Sequence, residues 1–439
     1  MTKLRWFLAT AMVLLFAAGE AQAQEINEEQ KADSTQQDTT GMKLQVTLVT
    51  CDPGPDAYQM FGHTAIRIKD LNNPDYDLVY NYGVFDSRRD NFIYYFVKGE
   101  TDYVLSVDPA RLFLDRYTHR FGIPMREQFL NINDQEKLEL TKLLEINAHP
   151  DNRTYRYNFL YDNCTTRATN IIEKALEKCG VQLKYETKSK EYEKTTFRQV
   201  LHRFTAVAPW TEFGIDFVLG AEVDKPRSQR EQMFIPSVYE AELDKAQMVG
   251  QDGKPVKMVA MKRNIEPMVE MAKTPDFPLS PFATFSVVLL FVIIMAFVDI
   301  RRKKLSIWMD IAGFFIRGLA GFLVAFLFFF SEHPAVGSNW LVLAFNPIVF
   351  IMIPDVIFAV WQKRFMAELT IKGRRYDWFE LVNLAVLVFT LLLFVLPLQT
   401  LNIAMLPLVL ILLIRSLTRI VVLTRNNLKN EKASLGQIV

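Results

Sequence analysis

The chain has 439 residues, a net charge of +1 and 50% hydrophobic residues. A charge balance this close to neutral offers no basic face, which argues against nucleic-acid binding. Residues 42 to about 279 have an ordinary globular pattern and long apolar runs dominate from 280 onward, so one soluble domain followed by a membrane domain is expected at roughly 100–200 residues per domain.

In chain order, residues 1–23 read as a signal peptide. Lys3 and Arg5 supply the charged start, Trp6 to Ala18 an apolar core too short to span comfortably, and Ala21-Gln22-Ala23 a small-x-small cleavage pattern. An uncleaved anchor would leave the topology unchanged. Residues 24–42 are rich in Gln, Glu, Asp and Thr with almost nothing to bury, the composition of a disordered tether.

The segment LQVTLVTC (44–51) alternates and is β-rich, so a strand is predicted there. DPGPDAYQMFG (52–62) carries two Pro and two Gly and reads as a loop. HTAIRIKD (63–70) alternates again, with Ala65 on the His63 face and Ile66 and Ile68 on the other. A turn at LNNPDYD leads into LVYNYGVF, so these two segments should form an antiparallel hairpin. YVLSV (103–107) and MREQFLNI (125–132) are further strands. Asn133 with Glu136 forms a capping-box pattern that opens a helix to about Ala148. After Cys164, the residues Ala168, Ile171, Ile172, Ala175 and Leu176 recur at helical spacing. The expected boundaries are an extracytoplasmic domain over 43–240 and a linker over 241–279.

Five apolar segments then follow, near 280–298, 309–330, 341–361, 379–397 and 401–421. Each has the roughly 17–25 residues needed to cross a bilayer as a helix, giving a membrane domain over 280–423 and a tail over 424–439. Arg301, Arg302, Lys303 and Lys304 lie between the first two segments. Lys363, Arg364, Lys372, Arg374 and Arg375 lie between the third and fourth, and Arg425, Lys429 and Lys432 follow the fifth. The loops 331–340 and 398–400 contain no Lys or Arg. The positive-inside rule therefore puts the basic loops and the C-terminus in the cytoplasm and residues 24–279 outside, as the signal peptide requires independently. Within the segments, Arg317 and Asp355 lie at matching depths and are expected to pair, while Arg415 and Arg419 are expected to snorkel to the cytoplasmic interface.

Position decides the chemistry open to Cys164. Asp162 or Asn163 is a natural N-cap, which places the cysteine in the first turn of a helix. A thiol pKa falls at a helix N-terminus and beside an imidazolium, and free N–H groups there can hold an oxyanion. Five histidines compete as its base. His119 sits in a charged helical stretch, His149 precedes Pro150, His202 lies in an amphipathic helix and His333 in the loop 331–340; His63 opens a strand and can project at a sheet edge. A structural alternative stays open, since three cysteines facing an oxidising compartment allow a Cys51–Cys164 disulfide. Cys164 and Cys179, about 20 Å apart on one helix, cannot pair. The His and Cys spacings show no zinc pattern.

FGHTAIRI (61–68), YNYGVFD (80–86), NFIYYFVKGETDYVL (91–105) and YDNCTTRATNII (161–172) resemble the lipoprotein N-acyltransferase (Lnb) family. So does the plan of an exported domain followed by membrane helices. The resemblance implies an α+β, permuted papain-like (NlpC-type) domain, similar to lecithin–retinol acyltransferase, ahead of an all-α five-helix membrane domain. By the same resemblance Cys164 matches the nucleophile and His63 the base. Asn81 is the candidate to orient His63, with Tyr80 or Tyr82 as alternatives. Asn163 would assist the oxyanion or merely cap the helix, and Arg67 would meet a lipid phosphate or form a salt bridge. The stretch Phe92–Phe96 would be a membrane-surface segment or a core strand.

The implied activity moves an acyl chain from a lipid glycerol ester, through a Cys164 thioester, to the α-amine of a lipoprotein N-terminal cysteine. It implies bacterial lipoproteins and membrane lipids as partners, no cofactor, and an inner-membrane protein with its catalytic domain on the periplasmic face. A secreted cysteine hydrolase, either lipase or peptidase, would use the same pair of residues, and a catalytically silent binding or sensor module would use neither.

Overall fold

In the computed structural model, residues 42–85, 90–190, 192–272, 277–353 and 370–435 are described. The expected signal peptide and nearly all of the tether lie outside the described residues. The chain divides into two compact units. The first runs to Thr205 and resumes over Pro226–Pro275; the second contains Ala206–Lys225 and everything from Asp276 onward.

The first unit is built on a seven-stranded antiparallel sheet. Its strands are β1 (Leu44–Cys51), β2 (His63–Asp70), β3 (Asp77–Val84), β4 (Asp102–Pro109), β5 (Met125–Leu130), β6 (Thr154–Arg156) and, far along the chain, β10 (Val259–Ile265). The spatial order is β10-β5-β1-β2-β3-β4-β6. Between β6 and β10 in sequence, β7 (Gln182–Lys184), β8 (Gln247–Val249) and β9 (Pro255–Lys257) make a separate three-stranded sheet. The segment 241–279, expected to be a linker, thus carries three strands, one of which extends the main sheet. Its alternation is hidden because β10 is an edge strand whose residues are mostly exposed, so no buried face marks it.

Alternation along β1 and β2 builds the two faces. Leu44, Val46 and Leu48 join Ile66 and Ile68 on one face, where they pack against Leu140, Leu143 and Leu144 of the Asp134–Ala148 helix and Ala168, Ile171, Ile172, Ala175 and Leu176 of the Cys164–Lys178 helix. A fully buried Ile or Leu contributes roughly 1.5–3 kcal/mol, so the Cys164 helix is held by its buried stripe more than by propensity. Asn133 forms the expected capping box with Glu136. On the other face, Val49, Cys51, Ala65 and Val79 pack under Ala110, Phe113 and Ile123. The stretch Phe92–Lys98 is a seven-residue helix with no buried residue. The core-strand reading is therefore wrong there, and Asn91 and Gly99 close the helix at both ends in left-handed conformation.

Arg67 lies in a salt bridge, the second of its two expected roles. Its Nε and Nη2 donate to Asp77 at 2.6 Å each and its Nη1 to Glu127 at 2.7 Å. Glu127 is fully buried and also accepts from Arg263 of β10. Three of its five guanidinium N–H donors are thus taken by two carboxylates.

Among the described residues of the second unit, three helices are long and apolar enough to cross a membrane: Pro281–Arg302, Ile307–Phe330 and, within Met405–Leu435, the span Met405–Val422. The segment expected at 341–361 begins as a short helix (Leu341–Ala344) and a 3-10 turn (Pro347–Ile351), and its end lies outside the described residues. Thr370–Leu392 is helical, with a shorter apolar part at Trp378–Leu392. Residues 206–225, inside the stretch expected to form the exported domain, cluster with these helices instead. Asn339 donates to the Phe217 carbonyl (2.8 Å), Asn402 to Asp216 (2.9 Å), and the Gly220 N–H to the Ala335 carbonyl (2.7 Å).

The arginines of this unit depart from the sequence expectation. Arg415 bonds Asp299 (2.9 Å) and Asp310 (2.7 Å), and Arg419 bonds Asp310 (2.9 Å) and Glu380 (2.6 Å), all of them buried. Neither snorkels, because the three carboxylates sit on neighbouring helices within reach. Arg317 donates to the Ala344 carbonyl (2.6 Å) and Asn383 (2.7 Å); its expected partner Asp355 lies outside the described residues.

The Glu127 arrangement yields a prediction. Glu127→Ala leaves two guanidinium groups short of a partner, and breaking a buried ion pair of this kind costs about 3 kcal/mol. In full-length protein in detergent, the first unit should unfold at lower denaturant concentration with an unchanged slope. An unchanged midpoint would show that the pair is energetically idle.

Candidate active site

The loop 52–62 delivers the chain to the start of β2, so His63 is the first residue of its strand and lies opposite Cys51. Asn81 lies on the adjoining strand, where the β3–β4 register shifts between Asn81 and Val84. At that bulge Gly83 has φ +90°, a conformation that side chains rarely adopt. A Cβ placed on Gly83 would lie 3.5 Å from the Cys164 Cβ and 3.8 Å from the His63 Cε1. The bulge therefore lets the helix bring its first residue against the ends of two strands.

The helix is fixed there by its cap. The Asn163 side-chain oxygen accepts from the Thr165 and Thr166 N–H groups at 2.9 Å each. Its amide nitrogen donates to the Phe159 carbonyl (2.7 Å) and the Phe234 carbonyl (2.9 Å). Both amide hydrogens are thus used, so Asn163 caps the helix and has none left for an oxyanion. The Thr64 and Thr165 hydroxyls, 3.1 Å apart, tie the first turn to β2.

Three of the expected site residues come together. His63 Nε2 donates to the Asn81 side-chain oxygen at 2.6 Å, which leaves Nδ1 as the ring nitrogen for the thiol. Tyr80 and Tyr82 do not take Asn81's place; the Tyr82 hydroxyl accepts from Asn147 (2.9 Å) on the other side of the core. Burial pushes the Cys164 thiol up, but the His63 charge and hydrogen bond, the Thr64 backbone N–H and the Thr165 hydroxyl together bring it below its ordinary value. Burial pushes His63 down, while the Cys164 charge and hydrogen bond and then Asn81 raise it above its ordinary value. The opposed shifts both run toward a charged pair, a thiolate facing an imidazolium.

The disulfide and two of the other histidines fall away. Cys51, Cys164 and Cys179 are free thiols, so the Cys51–Cys164 disulfide is not formed. Burial holds the Cys51 thiol well above its usual range, while the Tyr117 hydroxyl bonds to it. His119 lies 3.0 Å from Asp115 and His149 lies 3.4 Å from Asp151. Sequence reasoning passed over Gly83 and Tyr117. The Tyr117 ring lies nearly parallel to the His63 imidazole (11°, centroids 6.4 Å apart) from a π-helical turn at Arg116–Phe121. A glycine inside a strand pattern, as in YNYG, was the available signal for the bulge; nothing local to Tyr117 announces its contact.

The fold and this site define a mixed α/β domain in which a half-buried histidine meets a buried cysteine and asparagine, followed by a helical membrane-type unit whose described residues include three apolar helices. Family models agree with that division: the Lnb N-terminal periplasmic domain matches residues 31–203 and the Lnb transmembrane domain matches residues 272–427. The chain belongs to the Lnb family and is a membrane protein of lipoprotein processing. Neither the curated proteins nor the solved structures contain a match.

The electrostatics can be tested by alkylation with iodoacetamide across pH. In the wild type, the Cys164 rate should hold down to pH values below the ordinary thiol pKa, since the thiolate persists there. His63→Ala removes the imidazolium and keeps the burial, so the half-point should move upward, toward and past 9.0. Coincident profiles would separate the two residues electrostatically.

Proposed function

We propose that this protein is a cysteine-dependent lipoprotein N-acyltransferase, moving an acyl chain from a lipid glycerol ester to the α-amine of a lipoprotein N-terminal cysteine. The observation that carries the reading is the buried Cys164–His63–Asn81 constellation in a chain of this family. The Cys164 thiolate attacks the ester carbonyl carbon, forming the S–C bond as the carbonyl π pair moves to oxygen. On collapse the C–O bond breaks, and His63 Nδ1–H gives its proton to the departing lipid alcohol. A Cys164 thioester remains and His63 is neutral. The α-amine then attacks the thioester carbonyl, His63 accepts its proton, and the amide forms as the thiolate leaves. Asn81 keeps the proton on Nε2, so that Nδ1 is the nitrogen that cycles. An amine resolves a thioester readily, which favours cysteine over serine.

The same reading takes the first unit as a permuted papain-like domain, because the His63 strand precedes the Cys164 helix. It takes the second as five spans of the inner membrane, with the first unit periplasmic and the C-terminus cytoplasmic. A cysteine hydrolase would differ by admitting water to the thioester.

The test incubates full-length protein, and its Cys164→Ala variant, with a diacylated lipopeptide and phospholipid, and weighs the N-terminal fragment by mass spectrometry. An amide-linked N-terminal acyl group with the wild type and none with the variant is expected. Free fatty acid with an unmodified amine would instead make the protein a hydrolase.

A further inference from the structure

Just past the Gly83 bulge the sheet gives way to a run of aromatic rings. Phe85, two residues beyond that glycine, is partly buried against the core cluster that contains Cys164. Its ring stacks on Phe92 (13°, centroids 5.4 Å apart), and Phe92 stacks in turn on Phe96 (28°, 6.0 Å). Tyr58, from the loop that leads to His63, meets the same Phe85 ring edge to face at 6.4 Å. Tyr103 packs on it with centroids 5.0 Å apart and is itself stacked on Tyr157 at 4.1 Å. The rings thus run without a break from the cluster around the thiol to the surface helix Phe92–Lys98.

The outer end of this run is not core. Six of the seven residues of that helix are aromatic or aliphatic, yet none is buried. Ile93 is 55% exposed and Tyr58 49%. Contiguous apolar surface of this kind marks a place where something apolar is to lie. Its starting point says what. The polar side chains at the thiol are engaged with one another, His63 with Asn81, Thr64 with Thr165 and Asn163 with the helix N–H groups. An acyl group carried on the Cys164 sulfur has its carbonyl at that polar cluster and must lead its hydrocarbon chain away from it. The attachment fixes where the chain begins, and Phe85 begins the apolar surface there.

We propose that Tyr58, Phe85 and Phe92 form the wall along which the hydrocarbon chain of the Cys164-bound acyl group lies. This rests on the acyl-transfer reading above and names the surface of that same site that selects the chain. Recognition then comes from water displaced off the rings and not from any hydrogen bond. It scales with the number of methylenes covered, at about fourfold for each one fully buried. A wall open on one side recovers part of that factor. The Phe92–Lys98 helix is about 10 Å long, a length that an extended octyl chain matches, so the gain should level off for longer chains.

The experiment treats full-length wild type, Tyr58→Ser, Phe92→Ser and Val256→Ser, all in one detergent, with iodoacetamide or N-octyl iodoacetamide, and follows the Cys164 peptide by mass spectrometry. Both reagents form the same sulfur–carbon bond and release iodide. The micelle takes up the octyl reagent equally in every sample, so the ratio of the two rates reads chain recognition, while the iodoacetamide rate reports that Cys164 and His63 are intact. The wild-type ratio should be about tenfold in favour of the octyl reagent. It should fall to about twofold in Tyr58→Ser and in Phe92→Ser, with the iodoacetamide rate unchanged. Val256, an exposed apolar residue of β9, belongs to the separate three-stranded sheet, and its variant should keep the wild-type ratio. A wild-type ratio near one overturns the proposal. So does a ratio preserved in both ring variants, or an equal fall in Val256→Ser. If the lipopeptide test above yields free fatty acid, the transferase reading fails, whereas the alkylation ratio still judges the wall.

Discussion

The first unit depends on a close approach, the N-terminus of one helix pressed against the ends of two strands. Cys164 is the first residue of that helix and His63 the first residue of its strand. Their meeting requires the bulge at Asn81–Val84, the glycine inside it and an N-cap that leaves no slack. A conventional side chain at position 83 would have to be accommodated within van der Waals distance of both functional residues while the backbone kept an unfavourable φ. The geometry of the candidate site is thus a consequence of backbone conformation first and of side-chain choice second.

Burial then sets the electrostatics. Removing a thiol and an imidazole from water separately would neutralise both, since each charged form loses its hydration. Placed together, each supplies the counter-charge that the other has lost, and the net shift of each runs against its desolvation. Cys51 provides the contrast within the same unit. It is equally buried and is bonded by the Tyr117 hydroxyl, but it has no imidazolium to offset burial, and its thiol stays protonated. Two buried cysteines, one ending a strand and one opening a helix, are separated chemically by one histidine.

Much of this was legible in the sequence. The alternation of 44–51 and 63–70, the capping box at Asn133 and the apolar stripe after Cys164 are local patterns, and each appears where predicted. His63 and Asn81 could be singled out from their strand positions and the family motifs, and their 2.6 Å contact fits that choice. What stayed hidden depends on residues far apart in the chain. Glu127 claims Arg67 from 60 positions away, Phe234 claims one hydrogen of Asn163 from 71 positions away, and β10 joins the sheet from beyond residue 250 with no buried face to reveal it. The aromatic stretch Phe92–Phe96 left a core strand open because aromatic residues favour strands, whereas it lies in a helix with no buried residue, closed at both ends by left-handed residues.

The second unit shows the same dependence on tertiary partners with the sign reversed. Matching charges by depth along single segments pairs Arg317 with Asp355 and leaves Arg415 and Arg419 to reach for the interface. In the structure those two arginines connect Asp299 and Asp310, on successive helices, to Glu380 on a third. A charge in apolar surroundings is tolerated only with a partner, so each arginine fixes which face of its helix turns inward and at what height. Ser416 and Asn383 extend the network through hydrogen bonds toward Arg317. Apolar helices in a membrane gain little from hydrophobic burial against one another. Three arginines and three carboxylates shared among four helices therefore supply register where apolar packing alone would permit sliding.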